Sequence, residues 1–258
     1  MFGLGAGFDF GRQNETYFSV SQGYRPVRFF DVASPFSNVA AGGVPDESKS
    51  LSWEAGVHGT PVTGLFYDAS LFWIDFKNRI ETIVLSPTES VFQNSGDTRH
   101  RGFEGEISYD FLAARKSGLH VIAFGNVSLL DAKFTKSNLA NRVGNKPAFA
   151  PGLTARYGIS LRRDGRFNLS LAGSSVSSQY FQDSNLPVGT PLSANFVPAK
   201  VPAYTLVDLS ADWQVTRNIR LLSGISNLFD ERYYNRVFQN GIEPGARRTI
   251  YAGLAVGM

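Results

Sequence analysis

The 258-residue chain has no cysteine, which excludes disulfides and thiolate metal centres. Its three histidines, His58, His100 and His120, sit on separate stretches, which does not suit a metal centre. No stretch approaches the roughly eighteen consecutive apolar residues of a membrane helix. Neither sign of charge dominates. The 25 Lys and Arg are interspersed with 22 Asp and Glu, and the net charge of +3 gives no support to nucleic-acid binding. The opening residues, MFGLGAGFDFGRQ, lack the basic start and unbroken apolar core of a signal peptide. The glycines Gly3, Gly5 and Gly7 have no strand before them and no helix after them, so they do not form a phosphate loop. No serine or other nucleophile is placed beside a base, so no catalytic residue, metal site or cofactor is expected.

What the chain does have is alternation. Leu51, Trp53, Ala55 and Val57 interleave with Ser52, Glu54, Gly56 and His58. Phe103, Ile107, Tyr109 and Phe111 interleave with Glu104, Glu106, Ser108 and Asp110. Leu153 to Leu161 and Thr205 to Gln214 repeat the pattern, and so does the end of the chain, where Arg248, Ile250, Ala252, Leu254, Val256 and Met258 share one face. A period of two is the mark of a strand with unlike faces. About eleven such strands are expected over residues 1–258. The connections between them alternate. Those near 11–14, 61–64, 112–118, 163–165 and 216–218 are tight, while those near 23–49, 77–98, 135–147, 182–202 and 236–246 are long. In an up-and-down sheet, alternate connections lie at the same end, so one rim is trimmed and the other elaborate. The polar faces carry full charges, including Glu54, Glu104, Glu106, Arg156, Asp208 and Asp212. A soluble antiparallel sandwich could place such residues in water, but it would have to bury every apolar face in a second layer. A barrel in lipid with a wet interior needs no second layer. The expected fold is therefore all-β, an antiparallel up-and-down transmembrane β-barrel.

The end of the chain also resembles a known family. Asn227-Leu228-Phe229-Asp230, Tyr233-Tyr234, Gly241-Ile242-Glu243-Pro244-Gly245, Arg248 and Tyr251 look like the final hairpin of TonB-dependent outer-membrane receptors. The chain departs from that pattern at Met258, where family members usually end in an aromatic residue. Eleven strands are half of a 22-stranded plugged transporter barrel. The resemblance therefore implies the C-terminal half of a receptor barrel. The plug, and the TonB contact made through it, would lie elsewhere. It further implies a Gram-negative outer-membrane location, a lipid surround and energised uptake of a ferric siderophore. Thr98 to Glu104, Phe149-Ala150-Pro151, Ser177 to Phe181 and Asn240 to Ile242 look most like ferric dicitrate receptors, so ferric citrate is one implied cargo. Ile83 to Pro87 stands where those receptors carry a citrate-contacting Gln. A small self-standing outer-membrane barrel, acting as a passive pore or a hydrolase, is the alternative. Ferric chelates of this kind are anionic, which makes Arg25, Arg28, Gln179, Arg236 and Asn240 the candidate ligand-binding residues at the loop bases.

Overall fold

A computed structural model describes residues 1–11, 13–33, 44–86, 89–115 and 117–257. Met258, residues 34–43 of the first long connection, and Pro87 lie outside the described residues. In chain order the strands are β1 (Gly3–Asp9), β2 (Asn14–Arg25), β3 (Ser48–Gly59), β4 (Leu65–Ser86) and β5 (Glu89–Asp110). They continue as β6 (Leu119–Ser137), β7 (Leu153–Arg163), β8 (Phe167–Val176), β9 (Gln179–Tyr180), β10 (Lys200–Val201) and β11 (Tyr204–Thr216). The last four are β12 (Ile219–Ser226), β13 (Tyr234–Phe238), β14 (Gly241–Pro244) and β15 (Thr249–Val256). A five-residue helix, α1 (Phe29–Ala33), lies in the first long connection. Among the described residues eleven strands form one sheet in the order β1-β2-β3-β4-β5-β6-β7-β8-β11-β12-β15, as the alternation in the sequence implied. The pairs β9–β10 and β13–β14 form two small sheets of their own.

Every pairing in the large sheet is antiparallel, and the register keeps like faces together. Trp53 lies opposite Trp73, Leu71 opposite Phe103, and Ile159 opposite Leu171. On the other face, Asp68 lies opposite Glu106 and Ser160 opposite Ser170. A slip of one residue would exchange the faces, so the sequence pattern and the pairing fix each other. Among the described residues nothing is packed over the apolar face. Leu4 is 72% exposed, Leu71 64%, Trp213 62% and Ile250 74%. A small buried cluster of Phe181, Val197, Val201 and Val237 sits instead among the long connections. There is no second apolar layer among the described residues, and that removes the soluble sandwich.

β1 and β15 are the two ends of the sheet. With eleven strands and alternating direction, these two run the same way. They cannot pair antiparallel with each other, and antiparallel closure needs an odd number of further strands.

Five cross-strand pairs set an aromatic ring over a glycine: Tyr17 over Gly56, Phe72 over Gly102, Phe124 over Gly158, Tyr157 over Gly173, and Tyr251 over Gly224. A Cβ at Gly56 would lie 2.5 Å from the Tyr17 ring, and one at Gly173 would lie 2.6 Å from Tyr157. The missing side chain lets the ring lie flat against the sheet. Four of the pairs fill the polar face, while Tyr157 and Gly173 share the apolar face with Ile159 and Leu171.

The long excursion expected over Lys77 to Thr98 is largely strand. β4 and β5 continue as a paired hairpin through Arg79 opposite Gly96, Ile80 opposite Asn94 and Ser86 opposite Glu89. Asn78, with φ of 54°, and Gly96, with φ of 138°, form irregularities where the register shifts. The Asn94 side chain steadies this step. Its Nδ2 donates to the carbonyls of Asp46 and Asn78, and its Oδ1 accepts from the Asp46 N–H at 2.7 Å. Bulges of this kind bend a strand without ending it, so two interrupted runs in the sequence can still be one hairpin.

Leu171 and Ser170 are neighbours on opposite faces in the middle of the sheet. In a bilayer, Leu171→Arg should cost about 2–4 kcal/mol of stability. Ser170→Arg should cost much less. Reversible unfolding of the full-length protein in phospholipid vesicles measures both, and equal costs would contradict the assignment of faces.

Candidate functional site at the long-loop rim

The turns at 60–64, 111–118, 164–166 and 217–218 lie at one end of the sheet, and the long connections lie at the other. At the long end, three loop systems pack against one another. The connection after β6 is held by Asn145, whose Nδ2 donates to the carbonyls of Asp183 and Ser184. Asn185 returns the contact, accepting from the Lys146 N–H at 2.9 Å and donating to its carbonyl at 2.8 Å. The Asp183 carboxylate accepts from the Ala148 N–H at 2.6 Å. The segment from β9 to β10 then meets β13 through the Phe181, Val197, Val201 and Val237 cluster.

The last loop is anchored from below by Asn227, which has a φ of 52°. Its N–H donates to Asp208, its Nδ2 donates to the carbonyls of Glu231 and Ala246, and its Oδ1 accepts from the Glu231 N–H. Asp230 pairs with Arg247 and accepts from the Arg248 N–H, and these contacts, with Arg247 foremost, hold its carboxyl well below the ordinary range. The Asn227–Asp230 motif thus fixes the hairpin.

The five candidate residues divide into two groups. Arg25 and Arg28 converge on Asp31, which is 1% exposed. Arg25 Nη2 lies 3.0 Å from Asp31 Oδ1 and Arg28 Nη2 lies 3.3 Å from it, while the Arg28 N–H donates to Oδ2 at 2.9 Å. Burial opposes ionisation of Asp31. The Arg28 N–H and side chain, with Arg25, outweigh it and hold the carboxyl below its usual range. These two arginines are therefore engaged in folding α1 onto the end of β2. Gln179 begins β9, opposite Val201, and Arg236 lies in β13, opposite Glu243. Asn240 is exposed in the turn between β13 and β14. Gln179 and Arg236 thus belong to the lobe built on the Val201–Val237 contact, apart from the Arg25 and Arg28 knot.

The sequence reading missed a charged group on the extension of β4. Glu81 lies 2.6 Å from Arg79 and 3.7 Å from Arg142, and Arg142 lies 3.6 Å from Asp183. Arg79 stacks over the Phe134 ring at 5.6 Å. The four charges tie the β4–β5 hairpin to two separate loops. Burial first, and then a hydrogen bond with Asp183, push the Glu81 carboxyl up to about 7 against the pull of Arg79. The spacing of Arg79 and Glu81, two apart, was the available signal that this segment is a strand.

Further down the polar face, Tyr17, Glu54, Asp68, Glu104 and Glu106 line a groove of about 400 Å³. Tyr17 donates to Glu54 at 2.7 Å, and His58 lies 3.4 Å from Glu15. At the short-turn rim His120 bridges Asp110 at 2.5 Å and Asp164 at 3.3 Å. With these two carboxylates as its partners, the imidazole braces two turns.

Comparison with known proteins decides what this architecture belongs to. The family model described as TonB dependent receptor-like, beta-barrel, matches residues 2–228. The chain belongs to that family. The match places it in the outer membrane of Gram-negative bacteria, with the long-loop rim facing outward. A metal-pseudopaline receptor of Pseudomonas aeruginosa is 29% identical over 222 residues, covering 84% of this chain and 28% of that protein. A pesticin receptor of Yersinia enterocolitica is 26% identical over 260 residues, covering 99% of this chain and 34% of that protein. The chain thus spans about a third of the length of these relatives. The ferric yersiniabactin uptake receptor of Yersinia pestis superposes with a TM-score of 0.74 at 22% identity, covering 98% of this chain and 36% of the other. The unliganded ferric citrate transporter superposes with a TM-score of 0.77 at 21% identity, covering 98% and 37%. These two likenesses establish the fold.

The raised Glu81 carboxyl gives a pH dependence of definite sign. Its ionised form is disfavoured in the folded state, so its contribution is most favourable below the ordinary glutamate value of 4.5, declines as pH rises towards 7, and is level above that. Hydrogen exchange of residues 138–152 should therefore quicken between pH 5 and pH 8, after correction for intrinsic rates. Glu81→Gln should flatten that change, and an unaltered slope would contradict it.

Proposed function

We propose that this chain forms part of the wall and the outer rim of a receptor that takes a metal–chelate complex, a ferric siderophore or ferric citrate among the candidates, across the outer membrane with energy supplied through TonB. The observation that carries this reading is the family match over an open, lipid-facing sheet whose outer loops fold into a fixed, polar rim. Two of the relatives bear the names metal-pseudopaline receptor and pesticin receptor, and the two structural neighbours are described as a ferric yersiniabactin uptake receptor and a ferric citrate transporter. The function is recognition and gated passage, not catalysis. The open sheet argues against the alternative of a small barrel closed on itself, because β1 and β15 run in the same direction.

Of the five candidate residues, Gln179, Arg236 and Asn240 are favoured as cargo contacts. Arg25 and Arg28 have a buried carboxylate to satisfy instead. A cation already committed to Asp31 contributes less to an incoming anion than an unengaged one would. TonB would act through a plug outside this stretch.

The test is cargo binding by the full-length protein, followed by tryptophan quenching with a panel of ferric siderophores and ferric citrate. Gln179→Ala combined with Arg236→Ala should weaken binding by about tenfold or more, the scale of one or two charge-assisted hydrogen bonds. Arg25→Ala should act mainly on rim stability. Unchanged affinity in the double variant would remove these two residues from the site, and absence of binding to every metal chelate would remove the function.

A further inference from the structure

The asparagines that brace the rim have their side-chain amides tied down. Asn94 donates Nδ2 to the carbonyls of Asp46 and Asn78, and Asn145 to those of Asp183 and Ser184. Asn185 donates to the Lys146 carbonyl, and Asn227 to those of Glu231 and Ala246. The residues that follow them are Ser95, Lys146, Leu186 and Leu228, each with a side chain that crowds the backbone nitrogen beside it. An amide held in this way does not swing its Cγ onto that nitrogen.

Asn240 differs on every count. It precedes Gly241, and this is the one Asn–Gly step in the sequence. Phe238 lies opposite Gly241 in the β13–β14 ladder, so Gln239 and Asn240 form the two-residue turn between the strands. Asn240 is exposed there. Among the described residues its side chain has no hydrogen-bond partner. A Cβ at Gly241 would meet nothing within 4 Å, so the space beside that residue is open to water. Glycine also has the widest choice of backbone angles, which lets its nitrogen approach the preceding side chain. A nucleophile and a carbonyl carbon that close a small ring within one chain meet at high effective concentration.

We propose that Asn240 is a site of spontaneous deamidation, which places a new carboxylate at the tip of the last outer loop. The Gly241 nitrogen gives its proton to hydroxide and bonds to Asn240 Cγ. The Cγ–Nδ2 bond then breaks, and ammonia leaves with a proton taken from water. Water opens the resulting cyclic imide. Opening at Cγ yields aspartate, and opening at the main-chain carbonyl carbon yields isoaspartate, with the chain running through the side chain. In sum one water is consumed and one ammonia released, with no oxidation or reduction. Either product replaces a neutral group that has two N–H donors with an anion that only accepts. If Asn240 contacts an anionic cargo, which rests on the function proposed above, the change turns attraction into repulsion.

The experiment incubates the full-length protein in phosphatidylcholine vesicles for days, beside a synthetic peptide of residues 236–246 that sets the time scale. Digests are read by mass spectrometry. When most of the peptide has converted, Asn240 of the protein should have lost its amide to a similar extent. Asn94, Asn145, Asn185 and Asn227 should keep theirs. Conversion should quicken as hydroxide rises, and Gly241→Val should slow it sharply. An intact Asn240 at that time, or an equal rate in Gly241→Val, would overturn the proposal. This readout needs no cargo, so its failure is distinct from failure of the transport reading. Asn240→Asp should weaken binding of ferric citrate, and unchanged affinity would overturn the link to cargo.

Discussion

The structure depends on one constraint. Inside hydrocarbon every backbone N–H and C=O has to find its partner within the protein. The eleven-stranded sheet meets it by pairing each strand with the next, from β1 opposite β2 to β12 opposite β15, which leaves only the outer edges of β1 and β15 to further strands. Once the backbone is paired in this way, side chains have only two places to go. Along β3, Leu51 and every second residue after it face outward, and those between them face the polar interior. Both the exposed leucines and isoleucines and the charged wall of Glu54, Glu104 and Glu106 follow from that single alternation. Ordinary globular stability has little part in it. The few fully buried side chains, such as Phe134, Val201 and Val237, lie at the long-loop end and not beneath the sheet.

The rim gains its order by a different means. It has few apolar side chains to bury, so it relies on side chains that bond to backbone. Asn145, Asn185 and Asn227 each tie loop carbonyls or N–H groups that no strand satisfies. Buried charges add longer links, with Asp31 gathering Arg25 and Arg28, and Glu81 reaching two loops through Arg142 and Asp183. Among the described residues, these polar links surround one small apolar cluster of Phe181, Val197, Val201 and Val237. That suits recognition of an anionic chelate better than a hydrophobic cap would.

The wall was legible in the sequence because its signal is local and repeated. Strand, turn and face followed from the two-residue period, and the strand count agreed. The rim was less legible. The segment from Lys77 to Thr98 looked like a loop because Asn78 and Gly96 interrupt the alternation, although both are bulges inside one hairpin. Arg25 and Arg28 looked like free cations because Asp31 is near them only once α1 has folded. The Arg79, Glu81, Arg142 and Asp183 group joins residues up to about a hundred positions apart, and no local pattern announces such a contact.

This stretch has no cysteine, so single labels placed in it, with any cysteine elsewhere in the full-length protein replaced, test the central claim. Single cysteines placed in turn at positions 168 to 173 of the full-length protein can carry spin labels, and their accessibility to oxygen and to a water-soluble nickel chelate can be compared in lipid vesicles. Alternate labels, those at 169, 171 and 173, should favour oxygen from the hydrocarbon. Those at 168, 170 and 172 should favour the aqueous reagent. A flat profile, or one with the opposite phase, would contradict the account.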